Sequence, residues 1–344
     1  MSQINPQEIE LIKSSAAEAE KNKCLSPQVL HILYKHKILK LFIPKALGGR
    51  AEPLPQALRV FDDCAFIDGT IGWLAAIGSG GNYFAGYYNE EVASRLFSAQ
   101  NAVLAGSGYA GTAKTTEEGF SVNGSWKYCS GAGFATFFTA TAADENGTIK
   151  AYTFMSQQVT ISNDWDAFGL KATESNSISV KDAFVPNDLV FDLGKPPISF
   201  KNETIYSFDF MLFARFSFAA VVLGLSRAFL NEAEQQSQYF KNDIARAAFL
   251  SSLLKKEKDQ LDILSQRFYN SAQKAWDEHN KTGLKTELMG EATDTVFAIS
   301  QNAVQLTGNL FPHLGMAVAM EDTTLNRIYR NLLTANQHIL LRKY

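Results

Sequence analysis

The residues best suited by type and spacing to do chemistry lie in Asn123-Gly-Ser-Trp126-Lys-Tyr128-Cys-Ser130-Gly131. Side chains alternate faces along an extended strand, so Trp126, Tyr128 and Ser130 are expected to share one. Two aromatic walls and a hydroxyl could hold a planar heteroaromatic ring, with Gly131 letting it approach the backbone. The competing reading of the same face is an ordinary β-core. A second motif, Gly106-Ser-Gly108-Tyr-Ala-Gly111, spells GxGxxG. That pattern receives a pyrophosphate only where it joins a strand to a helix N-terminus. Here TAKTTEEGFSVNG follows in place of a helix, so the motif is read as a flexible loop of a β-region. Cys24, Cys64 and Cys129 are far apart and form no CxxC pair. That spacing indicates a reduced compartment and no zinc centre, and no metal site is expected.

The elements that must position these residues follow from patterning. The chain has 344 residues, 46% hydrophobic and 19% charged, enough for a continuous core in one to three domains. Its formal net charge of -3 gives no footprint for nucleic acid or an anionic membrane. The N-terminal segment lacks the apolar centre of a signal peptide, which points to the cytoplasm. Residues 6–98 read as helices, with Ser26-Pro27 as an N-cap and first-turn proline, a loop at 44–55, and a short helix opening at Asn89. Between about 102 and 196, short aromatic and β-branched segments alternate with Gly, Asn and Asp, predicting a compact antiparallel β-domain. Asn146-Gly147 marks its clearest hairpin. Beyond it helices return. The apolar run from Phe210 to Leu225, interrupted by Arg215, reads as a buried bundle helix, and Leu288, Ala292, Thr295 or Val296, Ile299, Ala303 and Leu306 trace an apolar stripe. The fold class is therefore α+β: an N-terminal helical domain (1–101), a small antiparallel β-domain (102–196) and a C-terminal four-helix bundle (197–344).

At this point the chain resembles the acyl-CoA dehydrogenase superfamily, and within it the two-component flavin-dependent aromatic monooxygenases. Gly124-Ser-Trp126-Lys-Tyr128-Cys-Ser130-Gly131 is similar to that branch's GxWxFxSG segment, in which the serine lies near the N5 edge of the flavin. Trp165-Asp-Ala-Phe-Gly169-Leu-Lys171-Ala-Thr173-Glu-Ser175-Asn176 resembles a second segment, W followed by GLRGTGSN. There Lys171 replaces an arginine and Glu174 replaces a glycine, which puts a negative charge beside the expected cofactor. Asn326-Arg327-Ile-Tyr-Arg330-Asn331 through His338 is similar to the pattern RxxRDxxxAxxH. With Asn331 in place of the usual aspartate, its Arg327, Arg330 or Asn331, Thr334 and His338 would form one polar helical stripe. Gln305-Leu-Thr-Gly308 resembles a QxxGG region that contacts a neighbouring subunit's flavin.

The resemblance implies an oxygenase component that takes reduced flavin (FMN or FAD) from a separate reductase, uses dioxygen as co-substrate and acts on a small aromatic substrate as a homodimer or homotetramer. Ser130 would position the flavin. His338 would act as a base or stabilise the oxygenated cofactor, switching charge near pH 6.5. Trp126, Tyr128, Trp165, Lys171, Thr173, Ser175, Gln305, Gly308, Arg327 and Arg330 would line the cofactor, and Trp73, Phe84 and Phe168 offer further aromatic surfaces. Related hydroxylases carry a second histidine eight residues after the tryptophan represented by Trp73. This chain has Gly81 there, followed by Asn82, the available substitute, which can hydrogen-bond but is no base. An acyl-CoA dehydrogenase is the alternative, although neither of its two glutamate positions holds a glutamate: one falls at His338-Ile339, the other at Ala214-Arg215. A catalytically reduced binding or assembly protein of the same fold is the third reading.

Overall fold

The computed structural model describes residues 4–343, apart from the side chains at positions 109 and 110. Five helices come first: α1 (Pro6–Asn22), α2 (Pro27–Lys35), α3 (Leu54–Ile67), α4 (Gly69–Gly80) and α5 (Glu90–Phe97). Their starts are locally encoded. Ser26 Oγ accepts from Val29 N ahead of Pro27, and Asn89 Oδ1 accepts from Val92 N, each satisfying an amide that the first turn leaves free.

Seven strands follow: β1 (Leu104–Thr115), β2 (Gly119–Cys129), β3 (Phe137–Ala143), β4 (Ile149–Met155), β5 (Thr160–Ile161), β6 (Asn176–Pro186) and β7 (Val190–Phe191). They form one sheet in the order β5-β6-β2-β1-β3-β4-β7. The sheet is mixed, a departure from the all-antiparallel expectation. β1 and β2 make a hairpin, β2 leaves to pair with β6, and β3 returns along the opposite edge of β1, parallel to it. The GxGxxG residues lie inside β1 and not in a loop. A Cβ at Gly106 would meet Thr139 O at 2.3 Å, and one at Gly111 would meet Trp126 at 2.6 Å. Those two glycines therefore serve close strand packing.

The C-terminal helices are α6 (Phe210–Ser237), α7 (Ile244–Thr282), α8 (Thr286–Leu310) and α9 (Thr324–Ala335). The stretch Phe210–Phe240 is long and apolar enough to cross a membrane, but 78% of its most apolar window is buried inside the fold, the setting of a core helix. α6 packs tightly on α3 because Gly224 lets the backbones meet: a Cβ there would lie 2.2 Å from Asp62 O. All three parts of the chain contribute to one hydrophobic core. α9 ends at Ala335, so His338 sits in the following turn and is not on a continuous helical stripe with Arg327 and Arg330.

Candidate active site

Strand β2 does not keep simple alternation at its end. Trp126 pairs with Ile178 and Cys129 with Asn176, three steps on one strand against two on the other, and Tyr128 takes a positive φ of 66°. This is a bulge, and it re-aims the side chains. Trp126 turns inward, fully buried, with its indole N–H on Thr141 O at 2.9 Å and its ring against Phe154. It is a β-core residue, which corrects its assignment to the cofactor face. Tyr128 turns outward, 59% exposed, with its ring edge-on to Trp165 at 6.2 Å.

Ser130 is buried and belongs to a directed chain of hydroxyls. The 3-10 turn Lys171–Thr173, flanked by left-handed residues Leu170 and Glu174, brings Thr173 and Ser175 against it. Backbone bonds sew the two segments together, Gly131 N donating to Thr173 O at 2.8 Å. Thr173 Oγ1 donates to Leu170 O at 2.8 Å, and a carbonyl can only accept. Thr173 must then accept from Ser175 (2.6 Å), and Ser175 from Ser130 (2.7 Å). At the head, Trp73 Nε1–H donates to Ser130 Oγ at 3.0 Å. Ser130 thus has its proton committed and one lone pair left over.

Trp73, on α4, carries the site across to the helical bundle. Its ring stacks on Phe218 of α6 at 5.3 Å and lies 6.0 Å from the His338 ring, which in turn lies 3.9 Å from Phe218. Burial in this apolar setting pushes the His338 imidazole down to about 4, so the expected charge switch near pH 6.5 is absent. His338 Nδ1 accepts from Leu340 N at 3.3 Å, which leaves the proton of the neutral ring on Nε2. The group is a neutral hydrogen-bond donor and not a base at that nitrogen.

Other residues singled out by sequence fall in different places. Asn82 is buried with its amide spent on backbone: it donates to Leu39 O and Gly78 O (3.2 Å each) and accepts from Phe42 N. That structural tie corrects its catalytic assignment. Arg330 is also committed. It is ion-paired with Glu20 and donates to Asn326 Oδ1 at 2.6 Å and Phe168 O at 3.0 Å, so its fork is not free for a cofactor. Arg327 is buried as well, and its charge acts on the Asp68 carboxylate, lowering a pKa that burial raises; among the described residues its guanidinium donates to Thr324 Oγ1 at 3.4 Å. Trp165 donates to Leu170 O at 2.9 Å, beside the hydroxyl chain, and Lys171 is half-buried on the same turn. Glu174 tucks its carboxylate against Gly133, where a Cβ would lie 1.7 Å from Oε2, and burial raises its pKa. Gln305 and Gly308 face outward on α8. Phe84 belongs to another aromatic cluster with Tyr83, Phe191 and Phe210, while Phe168 is exposed beside Tyr329. Among the described residues no cluster of His, Cys, Asp or Glu is arranged to hold a metal.

Sequence reasoning missed Phe218, the ring that joins Trp73 to His338. Nothing in an apolar run distinguishes one phenylalanine from its neighbours.

Residues 216–343 match the family model described as acyl-CoA dehydrogenase, C-terminal domain. The chain is 27% identical over 282 residues to an indole-3-acetate monooxygenase of Pseudomonas putida, spanning 79% of this chain and 72% of that protein. Its fold is similar to that of a 3-HSA hydroxylase from a Rhodococcus species, with a TM-score of 0.89 at 17% identity over 97% of this chain and 92% of the other. It also resembles the enzyme TdsC from a Paenibacillus species in complex with FMN and indole, with a TM-score of 0.81 at 19% identity over 96% and 91% of the two chains. The three-part architecture is therefore that of the acyl-CoA-dehydrogenase-like proteins. Within that architecture the chain is similar in sequence to a monooxygenase and in fold to a hydroxylase.

Proposed function

We propose that this enzyme is the oxygenase component of a two-component monooxygenase, acting on a small aromatic substrate with reduced flavin and dioxygen. The observation that carries the reading is that Trp73 contacts both Ser130 and His338. One group comes from the β-domain, the other from the C-terminal turn, and both face the same aromatic patch. When bound, a reduced flavin supplies the electrons that activate dioxygen. The residues present fit such a ring. Tyr128 and Trp165 offer aromatic surface beside Ser130, and Lys171, together with Arg327 beside Asp68, would meet a phosphate.

The polarity of the hydroxyl chain favours the reduced cofactor. Ser130 can still accept a hydrogen bond but has no proton to give, which suits a ring N–H better than a bare ring nitrogen. His338, as a neutral donor, would stabilise negative charge developing on oxygen without itself moving a proton. An acyl-CoA dehydrogenase would need a carboxylate at the reacting carbon, and no carboxylate takes part in the described contacts of the Ser130–Trp73–His338 cluster. A separate flavin reductase, assembly into a homodimer or homotetramer with Gln305 and Gly308 reaching a neighbouring subunit, and a cytoplasmic setting complete the proposal. An anaerobic titration with FMN and FAD in both redox states tests it. Tighter binding of the reduced form and oxygen transfer to an aromatic ring are expected; failure to bind any flavin, or bleaching by an acyl-CoA, would overturn the reading.

A further inference from the structure

We infer that Arg215 receives a carboxylate carried by the aromatic substrate, so that the substrate class is an arene bearing a short acidic side chain. The inference rests on the monooxygenase reading above and deepens it. Arg215 stands on α6 three residues before Phe218, and residues so spaced are neighbours on one helix face. Helical side chains lean toward the N-terminus, so Phe218 covers the turn that carries Arg215. The backbone positions of Arg215 and the phenylalanine that touches His338 are therefore about one turn, ~5 Å along the axis, apart.

The surroundings of Arg215 supply no anion. Its Nε is buried with no hydrogen-bond partner, and its guanidinium lies 5.8 Å from the centre of the Phe297 ring on α8. Among the described residues no carboxylate is within ion-pair distance of it. Asp294, one turn before Phe297, is paired instead with Lys343 at 3.3 Å. A buried guanidinium nitrogen without an acceptor is costly, and the cost is removed when a ligand oxygen arrives. Other buried cations of this chain are treated differently: Arg330 has Glu20, and Lys40 has the carbonyls of Leu47, Ser98 and Ala99. Arg215 is half-buried, which leaves a route for a small ligand. An aromatic ring lying against Phe218 and Trp73 would put a side chain one or two carbons long within reach of it. The planar fork suits a carboxylate, which it can hold by two parallel bonds.

Calorimetric titration of the full chain at low salt, without flavin, decides the matter. The probes are indole-3-acetate and uncharged indole-3-acetamide. The native protein is expected to bind the acetate at least tenfold more tightly. Arg215→Gln should bring the two ligands within twofold, leave the acetamide unchanged and keep or raise the Tm, because an unpaired buried charge is removed. Arg215→Lys should retain part of the preference, and it guards against a Gln variant that does not fold. Equal affinities in the native protein, binding of neither ligand, or a preference that survives Arg215→Gln would overturn the inference. So would loss of an oligomer in Arg215→Gln with the preference intact, since the arginine would then serve a second copy's carboxylate. Because the measurement needs no flavin, a failure of oxygen transfer alone would count against the monooxygenase reading and not against this one.

Discussion

Ser130 is useful because its hydrogen-bonding options have been narrowed by groups one and two steps away. Leu170 O fixes the direction of Thr173, Thr173 that of Ser175, and Ser175 that of Ser130. Ser130→Ala is expected to weaken reduced-flavin binding at least tenfold in fluorescence titration with little change in Tm. Thr173→Val removes the anchor of the chain and leaves buried acceptors short of a donor, at a cost of about 1–3 kcal/mol. It should also narrow the gap between reduced and oxidised flavin affinities, a readout that simple destabilisation would not move. His338 makes a pH prediction whose sign follows from its burial. Its folded pKa of about 4 lies below the ordinary 6.5, so between those values the unfolded chain binds the extra proton. Stability is fully present above pH 6.5, falls as pH drops toward 4, and levels off below. The loss is on the order of 3 kcal/mol, and His338→Gln should flatten it in denaturant melts across that range. Of these residues Ser130, Thr173, Ser175 and His338 were legible from motif, and Trp73 from its aromatic character. The direction of the chain and the tautomer of His338 were not, because both depend on which backbone groups the fold brings alongside.

Elements hold the two halves of the site in register. The turn at 165–170 docks on α9 through Gly169, where a Cβ would meet Arg330 O at 2.2 Å, and through Leu170 N donating to Asn331 Oδ1 at 2.7 Å. Gly169→Ala is therefore expected to shift the hydroxyl chain away from the helix that leads to His338, lowering turnover more than it lowers Tm. The two arginines of α9 should separate by phenotype. Arg330→Met strands the Glu20 carboxylate and costs about 3–5 kcal/mol, visible as a lower denaturation midpoint. Arg327→Met should lower the midpoint less, through loss of its interaction with the Asp68 carboxylate, and weaken flavin binding. Sequence spacing put both arginines on one face but could not say that Glu20, three hundred and ten positions away, engages one of them.

At the scale of the molecule, self-association is the expected outcome. Ile244 and Ile263 of α7 and Val304 of α8 are exposed apolar residues, and Gln305 and Gly308 stand next to the last of these. Analytical ultracentrifugation is expected to give a dimer or tetramer; a monomer at micromolar concentration would leave Gln305 and Gly308 without a flavin to touch. The core is continuous through all three parts, so heat should unfold helices and sheet in a single calorimetric transition.

What the amino-acid order determined by itself is whatever depends on near neighbours: helix starts at Ser26 and Asn89, the Asn146-Gly147 turn, the apolar stripe of α8, and the motif that carries Ser130. Local sterics and burial periodicity act within a few residues, so they can be read along the chain. What only the tertiary structure decided is which polar groups are already spent and which remain free. Trp126 and Asn82 are used up by the core, Arg330 by Glu20, while Ser130 keeps one lone pair and Arg215 stands without an anion among the described residues. Those outcomes are set by contacts between elements far apart in sequence, where a single acceptor or its absence decides what a side chain can do.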